Sequence, residues 1–174
     1  MDCGIVLTGD TDDPSAVAFY DDGTVTVTGA AGNDEIVDFV AENGPTVVAL
    51  NAPPRRKQED SFRDGEEELI DDGYAMLPQG MRDRAVLERA DHLARSIEAA
   101  GTGTTIIESN ARIAGAVLGL EGDDDLAAHG VETGDISSAR QYDAVVLAIV
   151  ASLYADNRCE DHGIVVPQDG VESF

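Results

Sequence analysis

Three apolar runs follow one another at the start of the chain before any helical periodicity appears, and this order limits the fold more than any other feature. Cys3 to Thr8 is almost continuously apolar, as in a central strand buried on both faces, and Gly9-Asp10-Thr11-Asp12-Asp13-Pro14 ends it in a turn. Ala16 to Tyr20 then meets Thr24 to Thr28 across Asp21-Asp22-Gly23, whose Asp-Gly pair suits a hairpin. Three consecutive antiparallel strands are expected. A sheet that opens in this way excludes a purely parallel, doubly wound fold.

The remainder alternates. Asn33 is a candidate N-cap for a short helix with Ile36, Val37 and Val40 on one stripe, stopped by Gly44-Pro45. Thr46 to Leu50 reads as a buried strand that delivers Asn51 at its carboxyl end before Ala52-Pro53-Pro54. Residues from about 55 to 79 form an irregular insertion with one short helix near Glu66 to Asp71. A longer helix from about Met81 to Ala100 carries Val86, Ala90, Leu93, Ala94 and Ile97 at three- and four-residue spacing. Thr104 to Glu108 is a further strand and Ala111 to Leu120 a helix, followed by an acidic loop at Gly122 to Asp125 and a loose segment to Gly134. Ser137 or Ser138 caps a last helix, Ala139 to Ala155, with Ala144, Leu147, Ala148 and Ala151 inward, and Ile164 to Val166 is an edge-like strand. The whole, residues 1–174, reads as one mixed α/β domain.

Charge bears on what such a domain can bind. The 174 residues hold 35 acidic and 11 basic side chains, a net charge of -24, yet 43% are hydrophobic, so this is a folded domain and not a disordered polyanion. Lys57 is the only lysine, and Asp, Ala, Val and Gly are abundant, a habit of cytosolic proteins working in concentrated salt. Near 1 M salt the Debye length is about 3 Å, which screens the self-repulsion. Cys3 and Cys159 are too few for a disulfide framework. The first residues carry acid and Gly instead of a basic n-region, and the longest apolar run, Ala144 to Leu153, is far short of the ~20 residues that span a bilayer. A cytoplasmic location without membrane contact is expected.

Several short phrases, in order, resemble an uncharacterised family of predicted nucleases with a ribonuclease H-like fold. They are Val48-Ala49-Leu50-Asn51-Ala52-Pro53, Arg89-Ala90-Asp91-His92-Leu93-Ala94 before Gly101, Ile106-Ile107-Glu108-Ser109, Gln141-Tyr142-Asp143-Ala144 and Ile164-Val165-Val166-Pro167. The resemblance runs from Gly4 to Pro167. It implies a ribonuclease H-like α/β fold and phosphodiester cleavage with Mg²⁺ or Mn²⁺, two ions about 4 Å apart held by converging carboxylates. Glu108 and Asp143 match acidic positions of the family and are the implied metal ligands and catalytic residues. Asn51 takes the second acidic position as a neutral ligand or water positioner, and Val6 stands where the family has its leading Asp. Arg55, Arg56 and Lys57, the only basic cluster, follow Asn51 where a substrate phosphate would approach. Arg63 with Glu67 fits an Arg-x-x-x-Glu phrase beside the site.

Each residue also has a plainer reading. Glu108 is one acid on a protein full of them, Asp143 in a first helical turn is favoured by the helix dipole alone, and the basic triplet has Glu66, Glu67 and Glu68 to pair with. Gly29-Ala30-Ala31-Gly32 lacks the ending of a phosphate loop, and neither aspartate cluster has the Gly and closing Glu of a calcium loop. Two carboxylates missing from a four-carboxylate site favour a degenerate metal site. The expected function is a non-catalytic binding or scaffold protein, acting through self-association, a protein partner or nucleic acid. The alternative is a metal-dependent nuclease.

Overall fold

The computed structural model describes residues 1–10, 12–30, 32–54, 62–171 and 174. Three strands open it: β1 (Asp2–Val6), β2 (Ser15–Asp21) and β3 (Thr24–Ala30), antiparallel in sequence. After α1 (Asn33–Asn43), β4 (Val47–Leu50) returns parallel to β1. Beyond α2 (Asp64–Asp71) and α3 (Arg84–Ala99), β5 (Thr105–Glu108) lies parallel to β4. Then come α4 (Ala111–Leu118), α5 (Asp123–Ala128), β6 (Glu132–Thr133), α6 (Ala139–Ala155), β7 (Cys159–Asp161) and β8 (Val165–Pro167). The main sheet runs β5-β4-β1-β2-β3-β6, and β7 and β8 form a separate hairpin. A mixed sheet with an antiparallel opening and parallel additions on the far side of β1 is the ribonuclease H-like topology that the sequence led us to expect.

Strand alternation divides the core into two layers. Cys3 and Ile5 of β1 face α1 and α3 with Val17, Phe19, Val48 and Leu50. Gly4 and Val6 face α6 with Ala16, Ala18 and Ala49. Helix α6 lies so close to β1 that a Cβ on Gly4 would collide with the Ala144 carbonyl oxygen and the Ala148 nitrogen. That approach requires Gly on the strand and Ala on the helix. It also buries α6 on every side from Ala144 to Ala151, so its expected single inward face is a correction: the β7–β8 hairpin and α4 cover what the sheet does not.

Other corrections are local. Gly32, not Asn33, is the N-cap of α1, because the Asn33 amide is used to accept from Arg89 Nε (2.8 Å). Met81 belongs to a 3-10 turn, Gln79–Met81, and α3 starts three residues later, where the Asp83 carboxylate accepts from Ala85 N–H. The expected acidic loop at 122–125 is the first turn of α5, since three aspartates at a helix N-terminus oppose its dipole favourably. β6 and β7 were not expected. Both are three residues or shorter and carry acid, so they show no apolar alternation. Among the described residues no helix is long and apolar enough to cross a membrane.

Candidate functional site

The carboxyl ends of β4 and β5 open onto a cleft of about 240 Å³, lined by Asn51, Glu108, Ser109, Asn110, Arg112 and Arg82 and roofed by residues 75–77. Parallel strands place their carboxyl ends together, so the ladder that pairs Leu50 with Glu108 brings Asn51 and Glu108 to one rim. Asp143 is not among the lining residues; it is half-buried in the first turns of α6 and within electrostatic reach of Arg112. Burial raises its pKa, and the Arg112 charge opposes this only in part.

Glu108 is 6% exposed and is held by two arginines. Arg82 Nη1 donates to its Oε1 (2.7 Å), and Arg63 Nη1 lies 2.9 Å from its Oε2, an ion pair without an aligned hydrogen bond. The same two guanidinium groups hold Glu66, which is fully buried. Arg82 Nη2 donates to Glu66 Oε1 (2.7 Å), Arg63 Nη2 donates to the same oxygen, and Arg63 N–H donates to Oε2 (2.9 Å). Two buried acids and two arginines thus form a closed, charge-balanced ring. It pins the first turn of α2 and the turn before α3 to the end of β5.

The two acids respond differently. For Glu66, burial pushes the pKa up, but the hydrogen bonds and charges of Arg63 and Arg82 outweigh it and the carboxyl sits below its ordinary value. For Glu108, burial again pushes up, and here it wins over the two arginines. Burial weighs more heavily on Glu108 than on Glu66, and Glu66 also accepts from the Arg63 backbone N–H, a donor that Glu108 lacks.

Asn51 is committed to backbone. Leu7 N–H donates to Asn51 Oδ1 (2.9 Å), and Asn51 Nδ2 donates to Leu7 O (3.2 Å), which extends the β1–β4 pairing past the end of both strands. Val6, the last residue of β1, faces α6 and offers no ligand. A pair of divalent ions needs several charged oxygens free to converge. Of the four expected positions, the Glu108 carboxylate is bound by arginines, the Asn51 amide by backbone, Val6 has no oxygen ligand in its side chain, and Asp143 lies outside the lining of the cleft. Among the described residues no group of three or more His, Cys, Asp or Glu side chains is arranged to hold a metal ion.

Arg55, Arg56 and Lys57 lie outside the described residues. Arg63 faces Glu66 and Glu108, and Glu67, the other residue of its phrase, is exposed. Sequence reasoning missed Glu66, Arg82 and Arg112. Glu66 was hidden in a run of three glutamates, and the only signal for Arg82 was a position between a Gly-Met turn and a helix cap.

No family model matches the chain, and no curated protein matches it. Among solved structures, that of RuvC from Thermus thermophilus aligns with 95% of this chain and 98% of its own, at 11% identity and a TM-score of 0.49. A second, T. thermophilus RuvC in complex with a Holliday junction substrate, aligns with 95% of this chain and 97% of its own, at 9% identity and the same score. The ribonuclease H-like topology of this chain rests on its own strand order and register.

Proposed function

We propose that this chain is a ribonuclease H-like protein of the binding or scaffold class, whose sheet end no longer carries a working two-metal site. One observation carries the reading: Glu108, the acid best placed to ligate a metal, has both carboxylate oxygens against the guanidinium groups of Arg63 and Arg82. Freeing it would break both contacts and leave the half-buried Arg63 and Arg82 facing Glu66 alone. The clamp of Asn51 on Leu7 supports the same conclusion, because both ends of its amide are already engaged by the backbone of β1.

The test is hydrolysis. The protein is incubated with single- and double-stranded DNA, RNA, hybrid and four-way-junction substrates in Mg²⁺ or Mn²⁺, at low and high salt. No cleavage above a buffer blank is expected. Cleavage that disappears in both Glu108→Ala and Asp143→Ala would instead establish the nuclease reading, with Mg²⁺ or Mn²⁺ as cofactor and nucleic acid as substrate.

A further inference from the structure

Most polar groups that line the cleft of about 240 Å³ are already committed. Arg82 donates through Nη1 to Glu108, through Nη2 to Glu66 and through Nε to Leu77 O (3.2 Å), so it is spent on the ring and on anchoring the roof. Both ends of the Asn51 amide engage the Leu7 backbone, and the Ser109 hydroxyl donates to Val165 O (2.7 Å). Asn110 caps α4: its Oδ1 accepts from the backbone N–H groups of Arg112 (3.0 Å) and Ile113 (3.2 Å). The cap uses up those amides and fixes which way the side chain points, leaving Nδ2 as a spare donor at the rim. Arg112 is exposed, and its guanidinium forms no hydrogen bond or ion pair among the described residues; its charge reaches Asp143 only at longer range. On a chain with 35 acidic and 11 basic side chains, an arginine left unmatched beside a cleft is an exception. The roof over it is apolar, built from Ala75, Met76 and Leu77, and Leu77 is 60% exposed.

We propose that this cleft binds a small organic carboxylate, its anionic head on Arg112 and Asn110 and its apolar body under Ala75, Met76 and Leu77. The two spare groups are both donors, so they call for a ligand head that only accepts, and the planar guanidinium fork matches the two oxygens of a carboxylate. A monoanion is favoured over a phosphate dianion. Glu108 lines the same cleft and Asp143 lies within reach of the Arg112 charge, so a second negative charge on the ligand would face two carboxylates. The volume sets the size: it is below the ~300–1,000 Å³ of pockets that hold drug-sized ligands, which leaves room for a body of about one ring or a short branched chain. The inference rests on the binding reading of this cleft and names the chemistry of what is bound. The hydrolysis assay reports on the metal site and the assay below on Arg112, so each can fail without the other.

The probes are benzoate and isovalerate, a flat and a branched body on the same head, titrated into the full chain at about 0.15 M KCl. Binding is followed by the side-chain amide resonances of Asn110 and by thermal shift. The controls are benzyl alcohol, which keeps a body and loses the charge, acetate, which keeps the head and loses the body, and inorganic phosphate. At least one probe should bind tenfold or more tightly than all three controls. Arg112→Gln, at an exposed side chain with no partner to orphan, should weaken that binding at least tenfold, and Arg112→Lys, which keeps the charge and loses the fork, should fall between. Leu77→Ser should weaken the probe several-fold and leave acetate unchanged. Failure of both probes to exceed benzyl alcohol, or binding that survives Arg112→Gln, overturns the proposal. Inorganic phosphate that binds more tightly than either probe and is lost in Arg112→Gln also overturns it, in favour of a phosphate site.

Discussion

At the scale of single residues, the ring of Arg63, Glu66, Arg82 and Glu108 places two glutamates between the same cations with opposite effects on stability. The Glu66 carboxyl lies below its ordinary value of 4.5, so the stabilisation it contributes is complete above that pH and lost as pH falls through its lower folded value. The Glu108 carboxyl lies above 4.5, so its contribution is complete below that pH and lost as pH rises through its higher folded value. Near neutrality Glu66 supports the fold and ionised Glu108 weighs on it. Glu66→Gln should therefore cost about 3–5 kcal/mol at pH 7, the range for breaking a buried ion pair, and flatten the acid limb of the stability profile. Glu108→Gln should cost less and remove the loss on the alkaline side of 4.5. Urea denaturation of the two variants from pH 3 to 8 measures both, and a Glu108→Gln penalty equal to or larger than that of Glu66→Gln would refute the assignment. Glu108 could be singled out in the sequence because it ends an apolar strand phrase. Its partner Arg82 could not, because an ion pair across 26 residues leaves no period to read.

At the scale of elements, α2 is the piece that brings Glu66 to the sheet, and a close backbone approach holds it there. A Cβ on Gly65 would fall on the backbone of His162, in the turn between β7 and β8. Leu69 of α2 meets Ile113, Ile164 and Val166 in a small cluster, and His162 Nδ1 lies 3.1 Å from Glu68 Oε2. Gly65→Ala should push α2 away from the hairpin and loosen the ring with it, at a cost of about 1–3 kcal/mol, the usual scale of overpacking. Faster hydrogen exchange in α2 and the hairpin, with β1 to β4 unchanged, is the expected signature; an effect spread evenly over the sheet would contradict it. The three opening strands, β4, β5, α3 and α6 were legible because each is long or apolar enough to show a period. Helix α2 was legible as a short helix, but not as the support of a site, since its neighbour in space is a hairpin almost a hundred residues away. β6 and β7 were not legible, because two or three polar residues acquire strand geometry only from the strand beside them.

At the scale of the whole molecule, the charge of -24 acts on stability more than on the site. Almost all of it lies outside the buried ring, which is internally balanced, and the exposed acids outnumber the cations available to pair with them. Arg140 binds both oxygens of Asp13 (2.7 Å each) and Arg84 binds Glu88 (2.7 Å), but such exposed pairs offset little of the general repulsion. A compact state carrying that excess is weakened by self-repulsion, and the weakening is relieved as the Debye length falls from about 10 Å at 0.1 M to about 3 Å at 1 M. If the composition reflects a salt-rich setting, Tm should rise by several degrees between 0.1 and 1 M KCl, with most of the rise complete once the screening length is shorter than the spacing of surface acids. Replacing ten exposed acids remote from the cleft with Asn and Gln should raise Tm at 0.1 M and flatten its salt dependence. KCl is the salt to use, because sulfate would strengthen apolar burial and mimic the effect. A Tm that does not change with KCl in the parent chain, or a neutralised variant with the same salt slope, would show that the acid density carries no cost in dilute buffer. The salt-adapted reading would then lose its physical basis.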